Sequence, residues 1–221
     1  MAPKTQSPAR LIAIDGSRGA DLAKAANRLA AALQKRGVTC VISRWDASGL
    51  FGELAQSGER SAASPRTLSL VYAADLAFRL RWEIRNALEA GTVVIAAPYV
   101  ETAVAFGAGR GLPEQWLREL LRFAPRPDVQ GLARERKLNR TWKPRFDRGY
   151  PEYCAALCAP SAPGVLSKKA RAAVIATLGA ARGRRVFQLS GAGIDKAALA
   201  ITNSRPDAAS PRSSRPRTAR K

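Results

Sequence analysis

The segment from Leu11 to Ala23 has the order strand, glycine-containing turn and helix, which in many proteins holds phosphate groups. A working phosphate loop reads G-x-x-x-x-G-K-[ST]: the glycines let backbone N–H groups approach the phosphates, the lysine reaches the outer phosphates, and the hydroxyl binds magnesium. Aligned on residues 15–17, this chain has Ala13, Arg18, Gly19 and Ala20 at the four defining positions. The helix N-terminus could still hold an anion, and a plain strand-to-helix turn is the alternative. The candidate phosphate-binding residues are Asp15, Gly16, Ser17, Arg18, Gly19 and Ala20, of which Asp15 and Arg18 are weak catalytic candidates.

Several other kinds of chemistry are excluded by composition. The chain has no histidine, which rules out Ser-His-Asp and Cys-His catalysis and histidine metal ligands. Its three cysteines, Cys40, Cys154 and Cys158, are too few for a disulfide framework and make a poor zinc site, which needs four ligands. We therefore expect no metal site.

The net charge of +20 favours polyanionic partners such as nucleic acid or nucleotides. A soluble, arginine-rich protein without such a partner is the other interpretation of the same charge. The sequence contains no run of eighteen apolar residues and no apolar signal-peptide core. We accordingly expect no membrane span and a cytoplasmic location.

Strand-like and helix-like segments alternate along the chain, as in an α/β protein with a parallel sheet. The apolar runs predict strands at residues 11–14, 38–42, 92–96 and 185–189. Helical periodicity predicts helices at residues 20–35, 64–90, 112–123, 148–157, 167–178 and 194–201. Ser64 and Pro65 together mark a helix start, with the serine as N-cap.

The chain divides into one domain with flanking segments. Residues 1–8 are expected to be flexible, residues 9–202 to form the domain, and residues 203–221, rich in Ser, Pro and Arg, to be a disordered basic tail. Residues 124–148 contain three prolines and many basic residues, which predicts a mobile lid or a loop.

Four stretches together resemble the thymidylate kinases: LIAIDGSRGADLA, SRWDASGLFGEL, SPRTLSLVYAADLAFRLRWEI and VVIAAPYVETAVAFGAGRGL. The resemblance covers roughly residues 9–202 and is weakest near residues 128–145, where the family's next core strand and its following helix seem shortened or missing. It implies a P-loop NTPase-like three-layer fold, with a parallel central sheet flanked by helices as in nucleoside monophosphate kinases. It also implies a homodimer and, if the protein is active, ATP and Mg as substrate and cofactor.

The resemblance assigns roles to particular residues. Arg44 matches an arginine of the substrate loop, Tyr72 the aromatic residue that stacks on thymine, and Phe106 an aromatic residue that closes on the sugar. Asp15 matches an acid near the metal and phosphates. The alternatives are core packing for Tyr72 and Phe106, and a cap or turn role for Asp15. In the lid, the matches to phosphate-clamping arginines are Arg134, Arg136 and Arg140, and a solvated basic loop is the alternative there.

A second family motif is also altered. Ala97 and Pro98 stand where the family has an Asp-Arg pair, and a proline has neither charge nor donor. Leu76 and Ala103 replace polar residues that contact the base. The sequence therefore predicts a thymidylate kinase-like protein that is catalytically impaired or inactive and is kept for nucleotide or partner binding. An active dTMP kinase and a basic nucleic-acid-associated protein are the two alternatives.

Overall fold

The computed structural model describes residues 9–16, 19–45, 47–50, 64–133, 186–189 and 192–203. Within them, five strands form one parallel sheet in the order β2-β3-β1-β4-β5. The strands are β1 (Leu11–Asp15), β2 (Cys40–Arg44), β3 (Val93–Ala97), β4 (Val129–Ala133) and β5 (Val186–Leu189). The central strands β1 and β3 are buried along their whole length, as their unbroken apolar runs require.

The described helices are α1 (Gly19–Gln34), α2 (Pro65–Arg79), α3 (Arg85–Glu89), α4 (Val100–Gly109), α5 (Glu114–Leu120) and α6 (Ala192–Asn203). A π-helical turn, Leu80–Ile84, joins α2 to α3, so the predicted helix 64–90 is continuous but not uniformly α-helical. The predicted start is confirmed, because Ser64 Oγ accepts a hydrogen bond from Thr67 N at 3.1 Å and Pro65 occupies the first turn.

Helices cover both faces of the sheet. Successive side chains of a strand point to opposite faces, and β2 shows which helix lies on each: Cys40 Sγ donates to Ala30 O of α1, whereas Ser43 Oγ contacts Arg79 of α2. The helix α6 packs with α1, while α4 and α5 pack with α2. This is the predicted three-layer α/β fold, and the fold class is confirmed.

The prediction of a lid or loop across residues 124–148 was wrong for its first part. The strand β4 lies inside that range, between β1 and β5, so the core strand expected to be shortened or missing is present. Pro125 and Pro127 precede the strand and do not interrupt it. Gly131 is the reason that the strand looks like a loop in sequence: a Cβ there would lie 2.5 Å from Leu189 Cδ1 of β5, so the packing of β5 requires glycine.

The remaining element predictions agree with the structure to within a few residues where it describes them. The second strand is shifted to Cys40–Arg44, the helix expected at 112–123 is shorter, and the last helix is longer, ending at Asn203. The predicted helices at 148–157 and 167–178, the flexible residues 1–8 and almost all of the tail lie outside the described residues. So do Cys154 and Cys158. No helix in the described ranges is long and apolar enough to cross a membrane.

Candidate nucleotide site at the carboxyl edge of the sheet

The strands β1, β2, β3 and β4 end at one edge of the sheet, where open α/β proteins hold their ligands. The register aligns these ends, with Arg44 opposite Ala97 and Asp15 opposite Leu132. Buried polar residues collect at this edge, and we call them the edge cluster: Asp15, Ser43, Tyr72, Asp75, Arg79, Tyr99 and Thr102.

The connection from β1 to α1 is short. The strand ends at Asp15 and the helix begins at Gly19, so only three residues lie between them. A phosphate loop needs about five residues before its second glycine, and the lysine follows. Ala13, aligned with the first glycine of that pattern, lies in the middle of β1, paired with Ala96 and Gln130. Ser17 and Arg18 lie outside the described residues.

Asp15 caps the N-terminus of α4 from another part of the chain. Its Oδ1 atom accepts hydrogen bonds from Tyr99 N at 3.0 Å, Thr102 N at 2.9 Å and Thr102 Oγ1 at 2.7 Å. These donors belong to the first turn of a helix whose own N-cap residue makes no side-chain cap bond. Asp15 is 2% exposed, and this burial raises the pKa of its carboxyl group from 3.8 to about 6, against the lowering effect of these hydrogen bonds.

Thr102 also uses a backbone donor of the β1–α1 connection. Gly16 N donates to Thr102 Oγ1 at 3.2 Å, while the same hydroxyl donates to Asp15. In a phosphate loop the backbone N–H groups point at the phosphates. Here the first of them is hydrogen-bonded to a residue of α4, so Asp15, Gly16 and Thr102 form one internal hydrogen-bonded unit.

Arg79, the last residue of α2, is completely buried beneath the ends of β2 and β3. Its guanidinium donates to Ser43 Oγ at 2.9 Å, to Ser43 O at 3.0 Å and to Pro98 O at 2.9 Å. The family's arginine at the end of this strand is replaced by Pro98, and here the proline carbonyl receives a bond from an arginine of the long helix. The three nitrogens of Arg79 are thus engaged by the protein itself.

Tyr72 is also completely buried, and one face of its ring is covered by Trp45. The two ring centroids are 4.8 Å apart with an interplanar angle of 26°, which is a stacked arrangement. Tyr72 Oη donates to Tyr99 O at 2.6 Å, and burial raises the pKa of this hydroxyl well above 10. The side chain predicted to stack on thymine is therefore stacked on an indole of the same chain.

Phe106 and Arg44 lie in different surroundings from each other. Phe106 is completely buried in α4 and belongs to the hydrophobic core, in agreement with the packing alternative. Arg44 is on the opposite side of β2 from Ser43, exposed, and its Nη2 donates to Asn27 Oδ1 of α1 at 2.8 Å. The structure therefore does not bring Arg44 together with Tyr72.

The other predicted site residues are described only in part. Gly19 and Ala20 are the first two residues of α1. The lid arginines Arg134, Arg136 and Arg140 lie outside the described residues. In the part of the chain that the structure describes, no group of three or more carboxylates or thiols could hold a metal ion.

Sequence reasoning missed Arg79 and Thr102, and treated Trp45 only as part of a lost turn. A signal for Arg79 exists, because it follows Tyr72 by seven residues and so lies on the buried face of the helix, where an arginine is exceptional. No sequence signal indicates the stacking of Trp45 on Tyr72, which joins a loop to a distant helix.

Comparisons with known proteins follow the same direction as this geometry. The chain is 40% identical over 124 residues to a thymidylate kinase of Xanthomonas oryzae pv. oryzae, covering 54% of this chain and 53% of that protein. It is similar to thymidylate kinases. A thymidylate kinase of Thermomicrobium roseum is 38% identical over 118 residues, covering 51% of this chain and 55% of its own length. A probable thymidylate kinase of Thermococcus gammatolerans is 34% identical over 128 residues, covering 53% and 62%.

The structural comparison supports the fold. The crystal structure of thymidylate kinase from Ehrlichia chaffeensis matches with a TM-score of 0.52 and 17% identity, covering 57% of this chain and 75% of that one. The chain spans little more than half the length of the curated relatives that it matches. No protein-family model matches the chain.

Proposed function

We propose that this chain is a thymidylate kinase-like protein that has kept the fold and lost phosphoryl transfer, and that it acts by binding a nucleotide or a protein partner. The β1–α1 connection carries the proposal. Phosphoryl transfer depends on positioning and on neutralising charge, and a connection of three residues followed by Gly19 and Ala20 supplies neither a lysine nor a magnesium-binding hydroxyl. Losing one comparable electrostatic group costs roughly 100-fold to 1,000-fold in rate.

The edge cluster supports the same proposal. The carboxylate that would help a metal is buried and caps α4, so it is not available to an ion at the surface. A buried carboxyl group with a pKa of about 6 is also a poorer anion at neutral pH than an ordinary aspartate. The arginine at the end of β3 is absent, and the nearby Arg79 is engaged with Ser43 and Pro98.

Steady-state ADP release with ATP, magnesium and dTMP, beside a panel of other monophosphates, tests the proposal. We expect no release above that of a mock purification from the same host. The matched control is the elution profile, since a contaminating kinase would not follow this protein in constant ratio through size exclusion. Turnover of about 1 per second or more that co-elutes with the protein would establish the active dTMP kinase instead.

We also propose a homodimer, for which the long helix offers a surface. On the solvent side of α2 and the π-helical turn, apolar side chains recur every fourth residue, with Leu70 51% exposed, Phe78 39% and Trp82 60%. Such a stripe normally faces another protein. Sedimentation should give a dimer for the wild type and a monomer for Phe78→Glu. A monomeric wild type at 50 μM or more would refute this part.

The charge of +20 supports nucleic-acid binding as a second candidate. Most of the positive excess lies outside the described residues, so the described fold is not its main source. If this candidate is right, binding to an arbitrary DNA duplex weakens steeply as salt rises, and thymidine nucleotides do not compete. Competition by dTMP would instead favour nucleotide binding.

A further inference from the structure

The face of Tyr72 that Trp45 covers lies at the edge of the sheet where a ligand would bind. Tyr72 is held in place at both ends, since it belongs to α2 and its hydroxyl donates to Tyr99 O at 2.6 Å. A ring fixed in this way offers a flat, apolar platform, and stacking on such a platform accepts any planar heteroaromatic ring. In this chain the platform is occupied by an indole.

The segment that carries the indole is tied to the same helix. We call Trp45 together with residues 47–50 the strap. Ser48 donates twice to Asp75 Oδ1 of α2, from its backbone N at 3.0 Å and from its Oγ at 2.9 Å. Asp75 lies three residues after Tyr72, so these bonds fix the strap directly beside the platform.

The strap is only loosely packed otherwise. Trp45, residue 47 and Ser48 are half-buried, while Gly49 and Leu50 are exposed. Gly49 has a φ of 75°, which a residue with a side chain rarely adopts, and it turns the chain here. Tyr72, by contrast, is completely buried, so the two partners of the stack differ in how firmly they are held.

We propose that Trp45 is a built-in competitor, so that a planar ring binds on Tyr72 only when the strap releases the indole. The occupant is a heteroaromatic ring of the size of a nucleobase, because that is what an indole on a phenol replaces. The inference rests on the proposed function, in which this edge binds a nucleotide without transferring phosphate. It predicts that wild-type protein binds nucleosides weakly because its own side chain occupies the platform.

Binding of thymidine by calorimetry tests the inference on three variants. Trp45→Ala removes the competitor and should tighten binding between about 5-fold and 150-fold, the contribution of one base–aromatic stack. Trp45→Ala combined with Tyr72→Leu should lose this gain, because the platform is gone. Trp116→Ala, which removes a half-buried tryptophan from α5, is the control for a cavity elsewhere and should leave thymidine binding unchanged.

Ser48→Ala covers the case in which Trp45→Ala does not fold. It removes the hydroxyl bond to Asp75 and leaves both rings in place, so it should give a gain in the same direction and smaller. Equal affinities of wild type, Trp45→Ala and Ser48→Ala would overturn the inference, as would a gain that persists without Tyr72. Neither result bears on ADP release, so the proposed loss of phosphoryl transfer stands or falls separately.

Discussion

Replacing Asp15 by asparagine removes the charge of a buried helix cap and keeps its shape. The amide oxygen of asparagine can accept the same bonds from Tyr99 N, Thr102 N and Thr102 Oγ1. Burial raises the pKa of the Asp15 carboxyl group from 3.8 to about 6, so the folded state holds a proton that the unfolded state has released. The contribution of this group to stability is therefore fully present below pH 3.8 and is lost as the pH rises through about 6.

The size of the effect follows from the same shift. One pKa unit corresponds to about 1.4 kcal/mol, so the full effect is about 3 kcal/mol, of which about 1.4 kcal/mol develops between pH 8 and pH 5. Urea unfolding of wild type and Asp15→Asn at several pH values measures it. Relative to the variant, the wild type should gain this free energy of unfolding as the pH falls.

Thr102→Val is the matched control, because it is nearly isosteric and removes only the hydroxyl that donates to Asp15. That hydrogen bond lowers the pKa of the carboxyl group, so its loss should move the transition of the pH profile to a higher pH. Identical pH profiles for wild type and Asp15→Asn, or a wild type that gains stability as the pH rises from 4 to 7, would refute this account of Asp15.

Two further substitutions test the packing and capping that position the site. Gly107→Ala should destabilise the protein by about 1–3 kcal/mol, because the new Cβ would lie 2.6 Å from Leu117 Cδ2. Adding Leu117→Ala should make the two costs non-additive, and simple additivity in urea unfolding would show that the contact is not responsible. Ser64→Ala should cost about 1 kcal/mol through the lost N-cap bond to Thr67 N, and Ser64→Asp should restore it. A helix start that tolerates alanine without loss would contradict the capping role.

The elements with strong periodicity could be predicted from the sequence. The strand β1, the helix α1 and the start of α2 follow from apolar runs, helical spacing and the Ser64–Pro65 pair. The strand β4 could not, since it is five residues long, contains Gly131 and follows two prolines. Its strand conformation depends on its two neighbours in the sheet, which local sequence does not reveal.

The site was predictable in its losses and less so in its contacts. The replaced residues at 13, 18, 19, 20, 97 and 98 are visible in the sequence. A capping role for Asp15 was one of two expectations, but the helix that it caps begins more than eighty residues later. The pairing of Trp45 with Tyr72 is likewise a tertiary contact between a loop and a helix, and no spacing rule connects the two.

A single-turnover experiment tests the central claim most directly. Protein in excess over γ-labelled ATP is mixed with magnesium and saturating dTMP, and labelled dTDP is followed over minutes. The account expects no dTDP beyond that formed by the mock purification, because the β1–α1 connection carries neither the lysine nor the hydroxyl of a phosphate loop. Conversion of most of the label to dTDP, in proportion to the protein added, would contradict it.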